Sequence, residues 1–282
     1  MKKLIPALVL LLVSAIVLST SSYAWFSMNR TVQATGISLT AAAPTNLVIS
    51  SSTGSTYAAS ASRDENYLGK LFPASTADGE DFWAIDDGNV IAGGKGGPAE
   101  AGTIFKKEKV GIMEQGDDKA TGYYVDFDFY FKATAADETP LNIGVKKITV
   151  NSDPDSGSLG NAVRIAIIPM DENGEPDYSR VTIYAFDDGK DVEPIESVEE
   201  TGVFKKSVTD PRQKPVGEGD DKVYTTTAFT VTPSTDIEDA TPTGVIIRVW
   251  IEGQHPDCVN ANALDKLAVQ VDFYVIESKQ AS

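Results

Sequence analysis

One cysteine and one histidine are all that 282 residues offer of the two side chains most used for metal binding and nucleophilic catalysis. The lone Cys258 excludes a disulfide framework within the chain, so the fold must be held by its core. It is read as a free, structural thiol, with pairing between chains as the alternative. A single histidine, His255, excludes a His-Glu-x-x-His zinc site by count. No Gly-x-Ser-x-Gly elbow is present, and a Ser-His-Asp triad would have to use that same histidine. No phosphate loop or dinucleotide fingerprint is found either. His255 and Cys258 stand three residues apart in the turn-like Gln254-His255-Pro256-Asp257-Cys258, where they are read as incidental rather than as base and nucleophile.

Basic residues are also scarce. Lys and Arg number 24 against 41 Asp and Glu, a net charge of −17. Such a surface repels phosphates, which argues against nucleic acid and anionic lipid as partners and favours solubility. Long apolar runs are confined to one place. Met1-Lys2-Lys3 precedes the stretch Leu4 to Leu18, and small polar residues lead to Ser22, Tyr23 and Ala24. A basic start, an apolar centre and small residues at Ser22 and Ala24 predict a secretory signal over 1–24, with cleavage between Ala24 and Trp25. The apolar run falls short of the roughly 20 residues that span a bilayer; retention as an anchor is the competing reading. The expected location is therefore secreted, extracellular or at the cell surface. The remaining 258 residues fit a single β domain, 25–282.

Helical periodicity is nearly absent, and alternation dominates. From Tyr123 to Lys132, Tyr123, Val125, Phe127, Phe129 and Phe131 fall on one face, and Tyr124, Asp126, Asp128, Tyr130 and Lys132 on the other. A period of two places the first set in a core and the second in solvent. Strands are also predicted over Leu141 to Val150, Ala162 to Met170, Val181 to Phe186, Val223 to Thr232, Val245 to Ile251 and Leu267 to Ile276. Asn173-Gly174 marks a hairpin turn between Ala162 to Met170 and Val181 to Phe186. The near-continuous apolar run Val245 to Ile251 predicts a buried central strand. Asn262 to Lys266 is read as one helical turn. The pattern weakens between about 50 and 116, which is read as an irregular insertion. Many strands, short turns and no repeat predict an all-β fold, a jelly-roll-type antiparallel β-sandwich preceded by the signal helix.

Acidic loops raise two further candidates. Asp126 and Asp128 share a strand face, which would suit a glycosidase pair, but a solvated face is the default. Asp171, Asn173 and Asp177 superficially resemble a calcium loop without its spacing or its terminal bidentate glutamate. An ordinary solvated turn is expected there, with a structural calcium as the alternative; no other cofactor is expected.

The most informative stretch is Ala24-Trp25-Phe26-Ser27-Met28-Asn29-Arg30, running on to Gly36-Ile37-Ser38-Leu39-Thr40-Ala41. An aromatic pair at a cleavage junction, then an Asn and a β segment ending Gly-Ile-Ser-Leu-Thr-Ala, resembles the start of the TasA/camelysin family of exported proteins, in which the β segment has the form Gly-x-Leu. The closing Leu267-Ala-Val-Gln-Val-Asp-Phe-Tyr-Val275 is similar to that family's last strand. Together these cover about 40 residues. The resemblance implies a jelly-roll domain, a matrix or surface location, and fibres in which a freed N-terminal segment inserts into the next subunit. Camelysin's reputed protease activity is not carried over, because no metal-binding motif is present to support it.

Physical reasoning runs alongside. An unpaired sheet edge is a template for another strand, and an extended peptide can add to it. Trp25, Phe26, Met28, Val32 and Ala34 are the predicted donor-strand residues, within 25–34. A head-to-tail contact of this kind does not close and propagates a filament of like subunits, with other matrix or surface proteins as further partners. The alternative is that 31–41 forms the first strand of its own domain. The chain is thus expected to be non-enzymatic. The rival classes are a surface binding module, using aromatics such as Trp83, and a hydrolase with paired acids.

Overall fold

The computed structural model describes residues 33–41, 47–63, 70–85, 105–106, 109–112, 121–152, 159–186, 193–208, 211–217, 222–258 and 266–276. The predicted signal segment, the Ala24-Trp25 junction and 262–265 of the expected helical turn Asn262 to Lys266 lie outside these residues, while Lys266 is the first residue of a strand. The described residues are all-β, with fourteen strands and two short 3-10 turns at Leu159–Ala162 and Tyr178–Arg180. Among the described residues no helix is long and apolar enough to cross a membrane.

Ten strands make two five-stranded sheets. Sheet I runs in the order β12 (Thr227–Val231), β7 (Leu141–Ser152), β14 (Lys266–Val275), β1 (Gln33–Ala41), β3 (Ser60–Arg63). Sheet II runs β2 (Leu47–Ser50), β6 (Tyr124–Ala133), β13 (Thr243–Ile251), β8 (Val163–Pro169), β9 (Thr182–Tyr184). Most neighbours are antiparallel, as expected. β1 is different: the first strand lies parallel to the last, from Gln33 opposite Lys266 to Ala41 opposite Phe273. A parallel pair needs a crossover, and here nearly the whole chain serves as one.

The alternation in β6 does what it predicts on one face. Val125, Phe127, Phe129, Phe131 and Ala133 are buried and meet residues of sheet I. Phe131 stands with Phe229 of β12 and Phe273 of β14, ring centroids 4.7 and 5.1 Å away. These three rings join the two sheets at the centre of the main core. β13 is the buried central strand expected, flanked by β6 and β8, and β8 and β9 form the predicted antiparallel pair. The strand expected from Val223 begins only at Thr227. Val223 instead bridges Val216, so the chain changes partners before it reaches β7.

The other face of β6 departs from expectation: its side chains are half-buried rather than solvated. The irregular region is the cause. Segments from 70–85, 105–106 and 109–112 lie against the outside of sheet II, where Phe82 and Ala74 pack with Ala166, Ile168, Ile246 and Trp250. The ribbon of β10 (Ile195–Val198) and β11 (Phe204–Lys206) adds a third apolar cluster with Trp83 and Phe105. Strands β4 (Lys70–Leu71) and β5 (Thr121–Gly122) pair in parallel where this layer joins the sheet. The region expected as an insertion is therefore divided: Ser60–Arg63 joins sheet I as β3, and its described residues beyond 70 form an outer layer over sheet II.

Candidate functional site

Buried charge is the feature of this fold that most needs an explanation, because an unpaired charge in an apolar setting is costly. Two clusters carry it, and both lie between sheet II and the outer layer.

The first is built on β13. Its outward positions alternate Ile246, Arg248 and Trp250, and the register sets Arg248 opposite Asp126 of β6. The pair is bidentate: Arg248 Nε and Nη2 donate to the two Asp126 carboxylate oxygens, each at 2.8 Å. Arg248 Nη1 donates to the carbonyl of Gly79 at 2.7 Å, and Nη2 also donates to the Tyr178 hydroxyl at 3.1 Å. The guanidinium lies 4.1 Å from the centre of the Tyr124 ring, within cation–π range. Gly79 sits in a turn capped by Thr76 and Asp78, at φ 74°. A side chain there would meet Val181 at 3.3 Å, so glycine suits both the backbone angle and the close approach.

The second cluster lies where β13 ends. Glu252 is fully buried, and its Oε2 is 3.8 Å from Nη1 of the equally buried Arg212. Its Oε1 accepts from the Gln254 N–H at 3.0 Å, and the Ser75 hydroxyl also bonds the carboxyl. Ser75 accepts in turn from the Ile195 N–H at the start of β10, at 2.9 Å. Arg164 of β8, fully buried, donates to the carbonyls of Asn161 and Val163. Backbone bonds from Ala74 to Ile251 and from Glu252 to Ala162 complete the junction. This one carboxyl thus gathers the outer layer, the β10 ribbon and the ends of two central strands.

Burial pushes the Glu252 carboxyl above its ordinary value of 4.5, while Arg212 and then Arg164 pull it back. A group whose folded value is raised contributes stability that is complete below the ordinary value and is lost as pH rises through the folded one. Glu252→Gln removes that titration. Thermal melts of the two proteins are expected to diverge in favour of the variant as pH rises from below 4.5 toward neutral. A difference independent of pH over that range contradicts this account.

The residues singled out from sequence fall as follows. Trp25, Phe26, Met28 and Val32 lie outside the described residues, as does the Ala24 junction. Ala34 is in β1, opposite Leu267 of the same chain. The Asp126 carboxylate is committed to Arg248, and the Asp128 backbone carbonyl accepts from Arg63 at 3.1 Å. His255 and Cys258 are both buried, and His255 Nδ1 accepts from the Asp257 N–H at 3.1 Å as part of the turn. Asp171 and Asp177 turn their carboxylates onto local N–H groups, Asn173 and Glu175 in one case, Ser179 in the other. Among the described residues no group of three His, Cys, Asp or Glu side chains is placed to hold a metal. Trp83 and Trp250 are buried, so neither ring offers the exposed platform a stacking ligand needs.

Arg164, Arg212, Arg248 and Glu252 were not singled out from the sequence. Their signal is nonetheless there for the two strand residues: an arginine inside Val245 to Ile251, and another inside Val163 to Pro169, interrupt runs that are otherwise apolar. No family model matches the chain, and neither a curated protein nor a solved structure matches it.

Proposed function

We propose that this chain is an exported, non-enzymatic structural subunit of an extracellular fibre or biofilm-type matrix. In this reading the signal is cleaved at Ala24-Trp25, and the freed N-terminal segment is donated as a strand to the next subunit. The sandwich is assigned to the jelly-roll type. In support, successive strands of the two sheets alternate between them except at the β8–β9 hairpin: β1, β3, β7, β12 and β14 fall in sheet I, β2, β6, β8, β9 and β13 in sheet II.

The observation that carries the proposal is the placement of β1. It is the first described strand, lies next to the margin of sheet I, and has β14 along its whole length on one side. On the other side β3 covers only Ile37 to Thr40, leaving Gln33 to Gly36 with no strand partner on that flank among the described residues. Residues 25–32 lead directly into this strand. In the proposal Gln33–Ala41 stays in its own sheet while Trp25, Phe26, Met28 and Val32 supply anchors to a neighbour, with Ala34 near the boundary. Main-chain hydrogen bonds provide the affinity of such strand addition, and alternate side chains in pockets provide the specificity. The acidic surface keeps unassembled subunits apart from nucleic acid and in solution.

Removal of residues 25–33 from the cleaved protein is expected to abolish polymerisation without unfolding the sandwich. Electron microscopy and circular dichroism of the truncated protein check both halves. The same fibres from the truncated protein contradict strand donation.

A further inference from the structure

Asn173-Gly174 is the one Asn-Gly dipeptide in the chain, and it lies in the exposed loop between β8 and β9. Asn-Gly is the sequence most prone to spontaneous deamidation, because glycine leaves the following nitrogen unobstructed. In that reaction the Gly174 nitrogen bonds to Asn173 Cγ and the Cγ–Nδ2 bond breaks. The proton from the Gly174 nitrogen leaves with Nδ2 as ammonia. Water then opens the cyclic imide, adding a hydroxyl to one carbonyl carbon and a proton to the ring nitrogen, and aspartate or isoaspartate results.

The loop holds both reacting groups. The Gly174 N–H donates to the carbonyl of Asp171 at 3.1 Å. Asn173 Nδ2, the leaving group, donates to Asp171 Oδ2 at 3.2 Å. Asp171 Oδ1 accepts from the N–H groups of Asn173 and Glu175 at 2.8 and 2.9 Å. Asp171 N donates back to the Glu175 carbonyl at 2.8 Å. Gly174 takes φ 82°, a conformation available to glycine at little cost. Every contact that fixes the Asn173 amide and the Gly174 nitrogen runs through one residue.

We infer that Asn173-Gly174 is a latent deamidation site and that Asp171 is the positioning residue that guards it, by tethering nucleophile and leaving group away from ring closure. The ionised carboxylate accepts these side-chain bonds most strongly, and the Glu175 and Asn173 N–H groups hold Asp171 below the ordinary carboxylate range, so the carboxylate part of the guard persists into mildly acidic conditions. For a protein exposed outside the cell for long periods, this loop is where chemical ageing is restrained.

The test is peptide mapping by mass spectrometry after incubation at neutral pH. It compares the intact protein, an Asp171→Ala variant and a synthetic peptide of sequence 168–180. Asn173 is expected to convert in the intact protein more slowly than in the peptide by about tenfold or more, the order that loss of near-attack geometry produces. Asp171→Ala removes the carboxylate bonds to Asn173 and Glu175 but keeps the backbone carbonyl that holds the Gly174 N–H, so it is expected to convert severalfold faster than the intact protein, toward the peptide rate, with its circular dichroism unchanged. Conversion of the intact protein at the peptide rate overturns the guarded site. An Asp171→Ala variant that converts no faster than the intact protein overturns the role of Asp171.

Discussion

Asp126→Ala is expected to destabilise the protein by about 3–5 kcal/mol, the cost of leaving one member of a buried ion pair without its partner. The Arg248 side chain is 4% exposed, so water cannot take over from the lost carboxylate. The remaining bonds to Gly79 and Tyr178 satisfy donors but bring no opposite charge. Because Gly79 belongs to the outer layer and Asp126 to β6, the arginine also fixes how that layer sits on the sheet. The double variant Asp126→Ala with Arg248→Met is expected to recover much of the loss, since methionine keeps the apolar stem and removes the stranded charge. Denaturant unfolding of the two single variants and the double variant measures the coupling. A double variant no more stable than Asp126→Ala alone contradicts the assignment.

Phe131→Ala is expected to cost about 3–5 kcal/mol for a different reason, the transfer of a buried ring plus the cavity it leaves. Phe131 is fully buried and touches the rings of Phe229 and Phe273, which are themselves 5.7 Å apart. The cavity would open between the two sheets, where neither can move in to fill it without breaking its own ladder. Phe131→Leu retains most of the volume and is expected to cost substantially less. Equal losses from the two substitutions, measured by the same unfolding experiment, contradict a central packing role for the ring.

The contrast between these two sites shows what was readable from the sequence. Phe131 declares itself through the period-two pattern of β6, β13 through its near-continuous apolar run, and the turn between β8 and β9 through Asn173-Gly174 with the β-rich segments on either side. Each is a local pattern of about ten residues. Arg248 announces only that something must answer its charge. Its partners lie 122 residues away at Asp126 and 169 away at Gly79, and no local pattern specifies either. The outer layer was unreadable for the same reason. Its segments have little periodicity because they are ordered by the sheet they cover, and they turned the supposedly solvated face of β6 into a second buried surface. The parallel pairing of β1 with β14 joins the two ends of the described chain. The sequence marks both as β-competent but says nothing of their meeting or of their relative direction.

That pairing bears on assembly. A chain that keeps Gln33–Ala41 in its own sheet and has the aromatic-led residues 25–32 immediately before it can retain its fold while offering a strand elsewhere. The Ala24-Trp25 junction would then set when assembly begins, because a signal still attached occupies the end that is to be donated. The most direct measurement is negative-stain electron microscopy of purified protein beginning at Trp25, with the N-terminus fixed by mass spectrometry. The account predicts fibres from that species. A protein with that N-terminus that remains a stable monomer contradicts it.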